Sequence, residues 1–500
     1  MKTVFLLFDS LNLRVLENYG SLLFPTPNFK RLGEKTIKFN KHFVGSMPCM
    51  PARRDLQSGR LSFLHRGWGP LEPFDNSFPE IMKKNNVYSH LISDHYHYFE
   101  DGGSTYHTRY NSFEFIRGQE RDPWKPMIEP PVERFKEIYH EFQIKKIEAT
   151  EPKYAYPVNR EYIKQEKDFP SVKCFKSGLD FLEKHKGAKN WFLQIETFDP
   201  HEPFFAPERF REKFNTNTRS PILDWPHYGK SNEVSEVSEE LRANYFALVS
   251  LCDFLLGSIL DFFDENNLWD DTALVLTTDH GFMLGEHDWW GKGIMPIYNE
   301  IAHIPMFFHH PDFKSLIGSE YNSLTQNIDL MPTFLEINNI DIPVEVQGQS
   351  ILSKLNNNSN SNVPAIFGYW GSGINITDGN YTFFWYPEGD VDSELNNYTL
   401  MPMHMRSFFS EEELKGSKLC SEFKFTKGMP VLKVPYTKKK KNQNIMSNIN
   451  NASVLFEISN DPVQLNPIED QKLTKKMKNQ IIKKIIELEA PKEILDRFKI

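Results

Sequence analysis

The sequence predicts an α/β protein in which a large mixed β-sheet is sandwiched by helices, with a smaller C-terminal subdomain on an antiparallel sheet. Three observations predict it. Residues 3–8, 191–195 and 272–277 are short apolar segments that read as buried strands of a sheet covered on both faces. Each ends in polar residues: Asp9, then Asp199-Pro200-His201, then Asp279-His280. Open α/β sheets gather ligands at the carboxyl ends of their strands. Near Leu355 the chain changes character, from strand–helix alternation to aromatic-rich strands joined by Gly-containing turns.

Taken in order, the first strand starts at once. The run Val4-Phe5-Leu6-Leu7-Phe8 is short, is closed by Asp9 and lacks a small-residue cleavage site, so it reads as a strand rather than a signal peptide. Residues 88–92 read as another strand, and in 239–267 apolar residues recur at three- and four-residue spacing, as in a helix. Residues 356–362 form a polar, Asn- and Ser-rich connector with nothing to bury. It divides a main domain, 1–355, from a C-terminal subdomain, 363–500. In the latter, 365–370 and 381–386 read as strands, 437–451 as a solvated loop opening on Lys438–Lys441, and 469–488 as one amphipathic helix.

Five hundred residues exceed what one compact core usually holds, and 39% hydrophobic and 14% aromatic residues supply ample material to pack it. A net charge of -9 lacks the basic excess of a nucleic-acid binder. No uninterrupted run of ~18 apolar residues suggests a membrane span. Cys49, Cys174, Cys252 and Cys420 are too few and too scattered for a disulfide framework, so a reducing cytoplasm is expected.

The most informative stretch is Cys49-Met50-Pro51-Ala52-Arg53-Arg54-Asp55-Leu56-Gln57-Ser58-Gly59-Arg60. Pro51 suits the first helical position and Gly59 the left-handed residue that ends a helix. Cys49 would then sit at a helix N-terminus, where free N–H groups and the positive dipole end favour an anion. Arg53 and Arg60 add fixed positive charge. The segment alone also fits a buried structural cysteine before a surface helix.

This segment resembles, at every position, the sulfatase signature Cys-x-Pro-Ser/Ala-Arg followed by Leu-x-Thr/Ser-Gly-Arg. The resemblance continues in order along the chain. Thr26-Pro27-Asn28-Phe29, Phe198-Asp199-Pro200-His201-Glu202-Pro203-Phe204, Thr278-Asp279-His280-Gly281 with Leu284-Gly285-Glu286-His287, and Trp290-Gly291-Lys292-Gly293 are each similar to a family motif. So are Ile328-Asp329-Leu330-Met331-Pro332-Thr333, Gly348-Gln349-Ser350, and Leu455-Phe456-Glu457 with Asn460-Asp461-Pro462. The resemblance implies an alkaline phosphatase-like fold and sulfate ester hydrolysis. It also implies that a maturation enzyme oxidises Cys49 to formylglycine, whose aldehyde hydrate is the nucleophile.

Attack on a sulfate ester requires a charged oxygen to be neutralised while a nucleophile is held in line, and a divalent metal does both. The resemblance places Asp9, Cys49, Asp279 and His280 around one such ion, calcium or manganese. It casts Lys292 and His201 as contacts to the sulfate and leaving oxygen, with His201 as the acid. Arg53 would steady residue 49, and His97 would be the base that collapses the hemiacetal, histidine being suited to proton transfer near neutrality. Two departures stand out: Ser10 replaces the family's second Asp, and His280 stands where many members have Asn. One carboxylate fewer and one imidazole more moves the set away from calcium's preference towards manganese, iron or zinc. In Ser93-Asp94-His95-Tyr96-His97-Tyr98, His97 aligns with the family's Gly-Lys-Trp-His histidine and His95 with its lysine, so His95 is a substrate contact if protonated. His107 and Glu100-Asp101-Gly102-Gly103 have no family counterpart.

These departures keep a second function open, phosphonate monoester or phosphodiester hydrolysis on the same scaffold. A non-catalytic binding protein would have lost some of Cys49, Arg53, Asp279 and Lys292. The expected partners are a small-molecule or saccharide sulfate ester and the formylglycine-generating enzyme; neither nucleic acid nor membrane is expected, and a homo-oligomer is compatible with the sequence.

Overall fold

The structure is a computed structural model that describes residues 1–100, 105–216, 221–357, 363–387, 395–436 and 452–500. The elements that position the site are, in chain order, β1 (Lys2–Phe8), α1 (Pro27–Lys35), β2 (Ile37–Phe39), β3 (Ser46–Met47), α2 (Cys49–Ser58), β4 (Tyr88–Ser93), β5 (Ser112–Phe115), α3 (Pro170–His185), β6 (Trp191–Thr197), α4 (Ser235–Glu265), β7 (Thr272–Thr278), β8 (Met306–His309), β9 (Glu320–Tyr321) and α5 (Leu330–Ile337). They are followed by β10 (Ala365–Tyr369), β11 (Ile374–Thr377), β12 (Thr382–Trp385), β13 (Val454–Phe456) and α6 (Gln471–Glu487).

The large sheet runs β9-β2-β8-β7-β1-β6-β4-β5. It is mixed because β8 pairs antiparallel with both β7 and β2, while β1, β4, β5, β6 and β7 are mutually parallel. Strand β1 is apolar throughout because both its faces are covered. Val4, Leu6 and Phe8 pack with Phe29 of α1 and Leu248 and Leu256 of α4, whereas Phe5 and Leu7 pack with Met50 of α2 and Leu330 and Phe334 of α5. Each such burial is worth about 1.5–3 kcal/mol, which locks the strand's register.

That register builds the site. Phe8 is level with Thr197 of β6 and with Thr278 of β7. The next residues, Asp9, Phe198 and Asp279, therefore leave the sheet side by side at its carboxyl edge.

Helix α4 is long and apolar enough to cross a membrane by length and composition, but 67% of its most apolar window is buried inside the protein. Asp253 interrupts its apolar run and explains why no continuous stretch stands out in the sequence. The buried Asp253 carboxylate accepts from the Asn28 and Phe29 N–H groups, both at 2.9 Å, and so caps the first turn of α1.

The C-terminal strands form the sheet β13-β12-β11-β10, antiparallel as expected, but its edge is completed by β3, which pairs parallel with β10 through Gly368↔Ser46 and Tyr369↔Met47. Met477, Ile481 and Ile485 of α6 cover it. The expected helices shift at their polar ends: 239–267 is Ser235–Glu265, and 469–488 is Gln471–Glu487, started by the Asp470 side chain accepting from Leu473 N–H. Residues 356 and 357 of the expected connector are the last of a helix, Ile351–Asn357. The rest of that connector, residues 437–451 and residues 101–104 lie outside the described residues.

Candidate active site

All ten residues of α2 are buried, and Cys49 opens the helix. The helix starts two residues earlier than Pro51 suggested. The N–H groups of a first turn have no intrahelical partner, so proline costs nothing at either position. Gly59 ends the helix at φ +66°, its N–H bonded to the Asp55 carbonyl. The Asp55 carboxylate accepts from the backbone and hydroxyl of both Ser46 and Ser62. It thereby ties α2 to β3 and to the C-terminal sheet, and burial pushes its carboxyl up to about 7.

One ligand atom from each of Asp9, Cys49, Asp279 and His280 lies within 4.8 Å of the others, and all four residues are buried. His280 Nδ1 lies 2.9 Å from the Gly281 carbonyl, which can only accept. Nδ1 therefore carries the proton and Nε2 presents a lone pair, 3.2 Å from Cys49 Sγ and 3.3 Å from Asp279 Oδ2. A carbonyl holding one ring nitrogen in this way fixes the tautomer and orients the other nitrogen to bind a metal. Burial, and next the Asp9 carboxylate, hold the Cys49 thiol well above its usual range.

The Arg53 guanidinium gathers three carboxylates: Nη2 to Asp9 at 2.9 Å, Nη1 to Asp279 at 2.5 Å and Nε to Glu196 at 2.6 Å. Its Nη1 also donates to the Cys49 carbonyl at 3.1 Å. Lys292, also buried, donates to Ser10 Oγ at 2.6 Å and lies 3.3 Å from Asp9 Oδ1. Ser10, held at φ +63°, donates its hydroxyl to Asp9 Oδ1 at 2.6 Å. The residue in the place of the family's second carboxylate thus links Asp9 to Lys292 instead. Three buried carboxylates face two fixed cations, so the donor set suits a further cation, and two carboxylate oxygens, one imidazole and residue 49 fit a divalent ion. Removing one partner of a buried ion-pair network costs about 3–5 kcal/mol. Arg53→Met is therefore expected to lose roughly that much stability in urea unfolding with chelator present; a loss under about 1 kcal/mol would mean the three carboxylates do not depend on Arg53.

Above this cluster opens a cavity of about 330 Å³ whose lining includes Cys49, Lys292, His201 and His97. His201 Nδ1 faces the Glu202 carbonyl at 2.5 Å, which leaves Nε2 as its unprotonated nitrogen. Burial, and then Lys292, hold it well below the ordinary histidine range. His97 Nδ1 bonds Glu100 Oε2 at 2.8 Å, and Arg406 Nη2 lies 3.3 Å from His97 Nε2. Burial opposes the Glu100 charge, but His97 and Arg406 outweigh it and lower its pKa.

His95 is placed differently from its expected role at the substrate. It is fully buried, outside the cavity lining, with Nε2 3.6 Å from Asp9 Oδ2, and neither ring nitrogen has a hydrogen-bond partner among the described residues. Burial first, then Arg53 and His97, keep it neutral and oppose the protonation that would let it replace a lysine. His107 lies against Phe99 and Phe113, also outside the cavity lining.

The structure thus brings Asp9, Cys49, Arg53, Asp279, His280 and Lys292 into one cluster, with His201 and His97 on the cavity above. Sequence reasoning missed Glu196, although a carboxylate inside the apolar strand β6 is a readable signal: it accepts from Arg53 and from Tyr98 OH at 2.9 Å. It also missed Arg406 and the pairing of Glu100 with His97. The C-terminal Arg406 carries no motif, and only tertiary packing brings it to His97.

A family model described as Sulfatase matches residues 2–340. An N-acetylglucosamine-6-O-sulfatase of Bacteroides thetaiotaomicron is 22% identical over 407 residues, covering 71% of this chain and 70% of that protein. A solved complex of another protein with its substrate D-glucosamine-2-N,6-O-disulfate superposes with TM-score 0.65 at 14% identity, covering 98% of this chain and 99% of that one. The phosphonate monoester hydrolase of Agrobacterium radiobacter superposes with TM-score 0.63 at 15% identity, covering 98% and 95%. At these identities the two structures establish the shared fold.

Proposed function

Because the chain belongs to the sulfatase family and is a sulfuric ester hydrolase, we propose that it cleaves saccharide sulfate esters with formylglycine, derived from Cys49, as its nucleophilic residue. The observation that carries this reading is the buried cluster of Asp9, Cys49, Asp279 and His280 below a cavity lined by Lys292 and His201. A saccharide as the alcohol part is supported by the N-acetylglucosamine-6-O-sulfatase relative and by the substrate of the superposed complex.

Asp9, Asp279, His280 and residue 49 would hold one divalent ion, calcium or manganese, which when bound neutralises sulfate oxygen and polarises the ester. An aldehyde at residue 49 supplies, as its hydrate, an oxygen nucleophile in place of a thiol that burial keeps protonated. Arg53 fixes the turn of α2 that carries residue 49 and orients Asp9 and Asp279. Lys292, anchored by Ser10, presents its ammonium to the sulfate. His201 holds Nε2 at the cavity for a proton that passes to the leaving oxygen, and the nearby negative charge of bound sulfate favours its protonated form. His97, oriented by Glu100, keeps Nε2 as a base.

Ser10 and His280 favour a second reading, phosphonate monoester or phosphodiester hydrolysis at the same site, because the Lewis acid then has one carboxylate fewer to offset it. Parallel assays on the sulfate, methylphosphonate and phosphodiester of one aryl alcohol test the choice. The sulfate ester is expected to have the highest kcat/KM, with measurable phosphonate turnover. A phosphonate or phosphodiester preference of roughly tenfold, about 1.4 kcal/mol in transition-state stabilisation, would reverse the assignment.

A further inference from the structure

The reaction described above leaves one part of the cavity wall unused. Lys146 lies on a helix, Glu141–Ala149, far in sequence from every motif of the site, yet it lines the same cavity as Cys49 and Lys292. Its ammonium donates to the Pro226 carbonyl at 2.5 Å and sits 4.7 Å from the Trp225 ring centre and 5.1 Å from that of Tyr228. Tyr228 OH donates to Glu202 at 2.6 Å, which fastens this wall to the His201 loop.

Four lysine or arginine side chains line the cavity, and three are already matched by carboxylates. Lys292 faces Asp9 and Glu202, Arg121 faces Glu120 at 3.4 Å, and Arg406 faces Glu100 at 3.2 Å. Lys146 has no carboxylate partner among the described residues; its contacts are one carbonyl and two aromatic faces. Such a cation is held in place and incompletely neutralised, as a recognition site for an anion requires. Beside it, Trp225 is 3% exposed and lines the cavity. An aromatic wall beside a cation without a carboxylate partner suits a sugar ring bearing an anionic substituent.

We propose that Lys146, with Trp225 and Tyr228, forms a subsite for a second anionic group on the alcohol part of the ester, so that the enzyme selects saccharide sulfates carrying a further sulfate or a carboxylate. This rests on the sulfate ester reading above and adds the substrate feature that the hydrolytic reaction itself leaves undefined. The Lys146 charge is also adjustable: burial lowers its pKa to about 8, against Glu202 and Glu120, which favour the ammonium, and Arg121 and Lys292, which oppose it. His227 faces it as well. The selectivity should therefore decline as pH rises through about 8.

The test compares kcat/KM for para-nitrophenyl sulfate, N-acetylglucosamine 6-sulfate, glucosamine N,6-disulfate and a sulfated glucuronate, in the wild type, Lys146→Met and Lys146→Arg. The wild type should prefer at least one of the two esters with a second anion, and which one distinguishes sulfate from carboxylate. Lys146→Met should lower kcat/KM for that ester roughly 10- to 100-fold through KM, the worth of a hydrogen bond to a charged group. It should leave para-nitrophenyl sulfate unchanged, and Lys146→Arg should retain the preference. No wild-type preference for either dianionic ester, or an equal loss on all four esters, would overturn the subsite. Calorimetry on the catalytically blocked Cys49→Ser protein reads the same preference as binding. If no sulfate ester is turned over yet dianion binding still depends on Lys146, the proposed reaction falls and the subsite stands; if binding is indifferent to Lys146, the subsite falls.

Discussion

Cys49→Ala is expected to lower sulfate ester turnover by roughly 10⁴-fold or more, the scale seen when a nucleophilic residue is removed and only binding and electrostatics remain. The folded protein should persist, because α2 is held by Asp55, Arg53 and its apolar contacts rather than by the thiol. A host without a formylglycine-generating enzyme should yield the same phenotype with the natural sequence: folded, metal-competent and nearly inactive. In active preparations, mass spectrometry of the peptide containing Cys49 should show sulfur and two hydrogens exchanged for one oxygen. Full activity with an intact thiol would refute the formylglycine reading. It would also be chemically surprising, since burial and Asp9 disfavour the thiolate that direct attack requires.

The second large effect is expected on the metal. Chelation should abolish turnover, and Asp279→Asn should lose both bound ion and activity, by roughly 10³-fold or more given what removing a single charge-stabilising group costs. Asn preserves the shape of the side chain but not its charge, and Asp279 also accepts from Ser10 N–H at 3.1 Å and His280 N–H at 2.8 Å. Metal analysis should return one ion per wild-type chain and less in the variant. Two ions per chain, or activity indifferent to chelation, would contradict a single site built on Asp9, Cys49, Asp279 and His280. Restoration by manganese in preference to calcium would match a set with one imidazole and without a second carboxylate at residue 10.

The two effects separate what the acids and the cysteine contribute. The acids and His280 form a receptor around Arg53 that has one carboxylate more than the fixed cations facing it. Cys49 supplies the position at the start of α2 that lies both in that receptor and on the cavity lined by Lys292.

Much of this was legible in the sequence for a physical reason. Strands buried on both faces must be continuously apolar, so β1, β6 and β7 announce themselves, and the polar residue that ends each must emerge at the sheet edge. The run from Cys49 to Gly59 carries its own start and stop signals, and the resemblance to the sulfatase motifs implied that Asp9, Arg53, Asp279, His280, Lys292 and His201 share one site. Tertiary structure alone decided the rest. His95 and His97 are two residues apart in one segment, yet the first is buried beside Asp9 and Arg53 while the second reaches the cavity and pairs with Glu100. Spacing cannot distinguish them, because burial depends on what packs over the loop. Arg406 and Lys146 reach the cavity from elements that share no motif with it, and Ser10 became a link between Asp9 and Lys292 instead of a missing ligand. Local sequence sets where a strand ends and a helix begins; which charges then face one another across the cavity is fixed only when distant segments close on it.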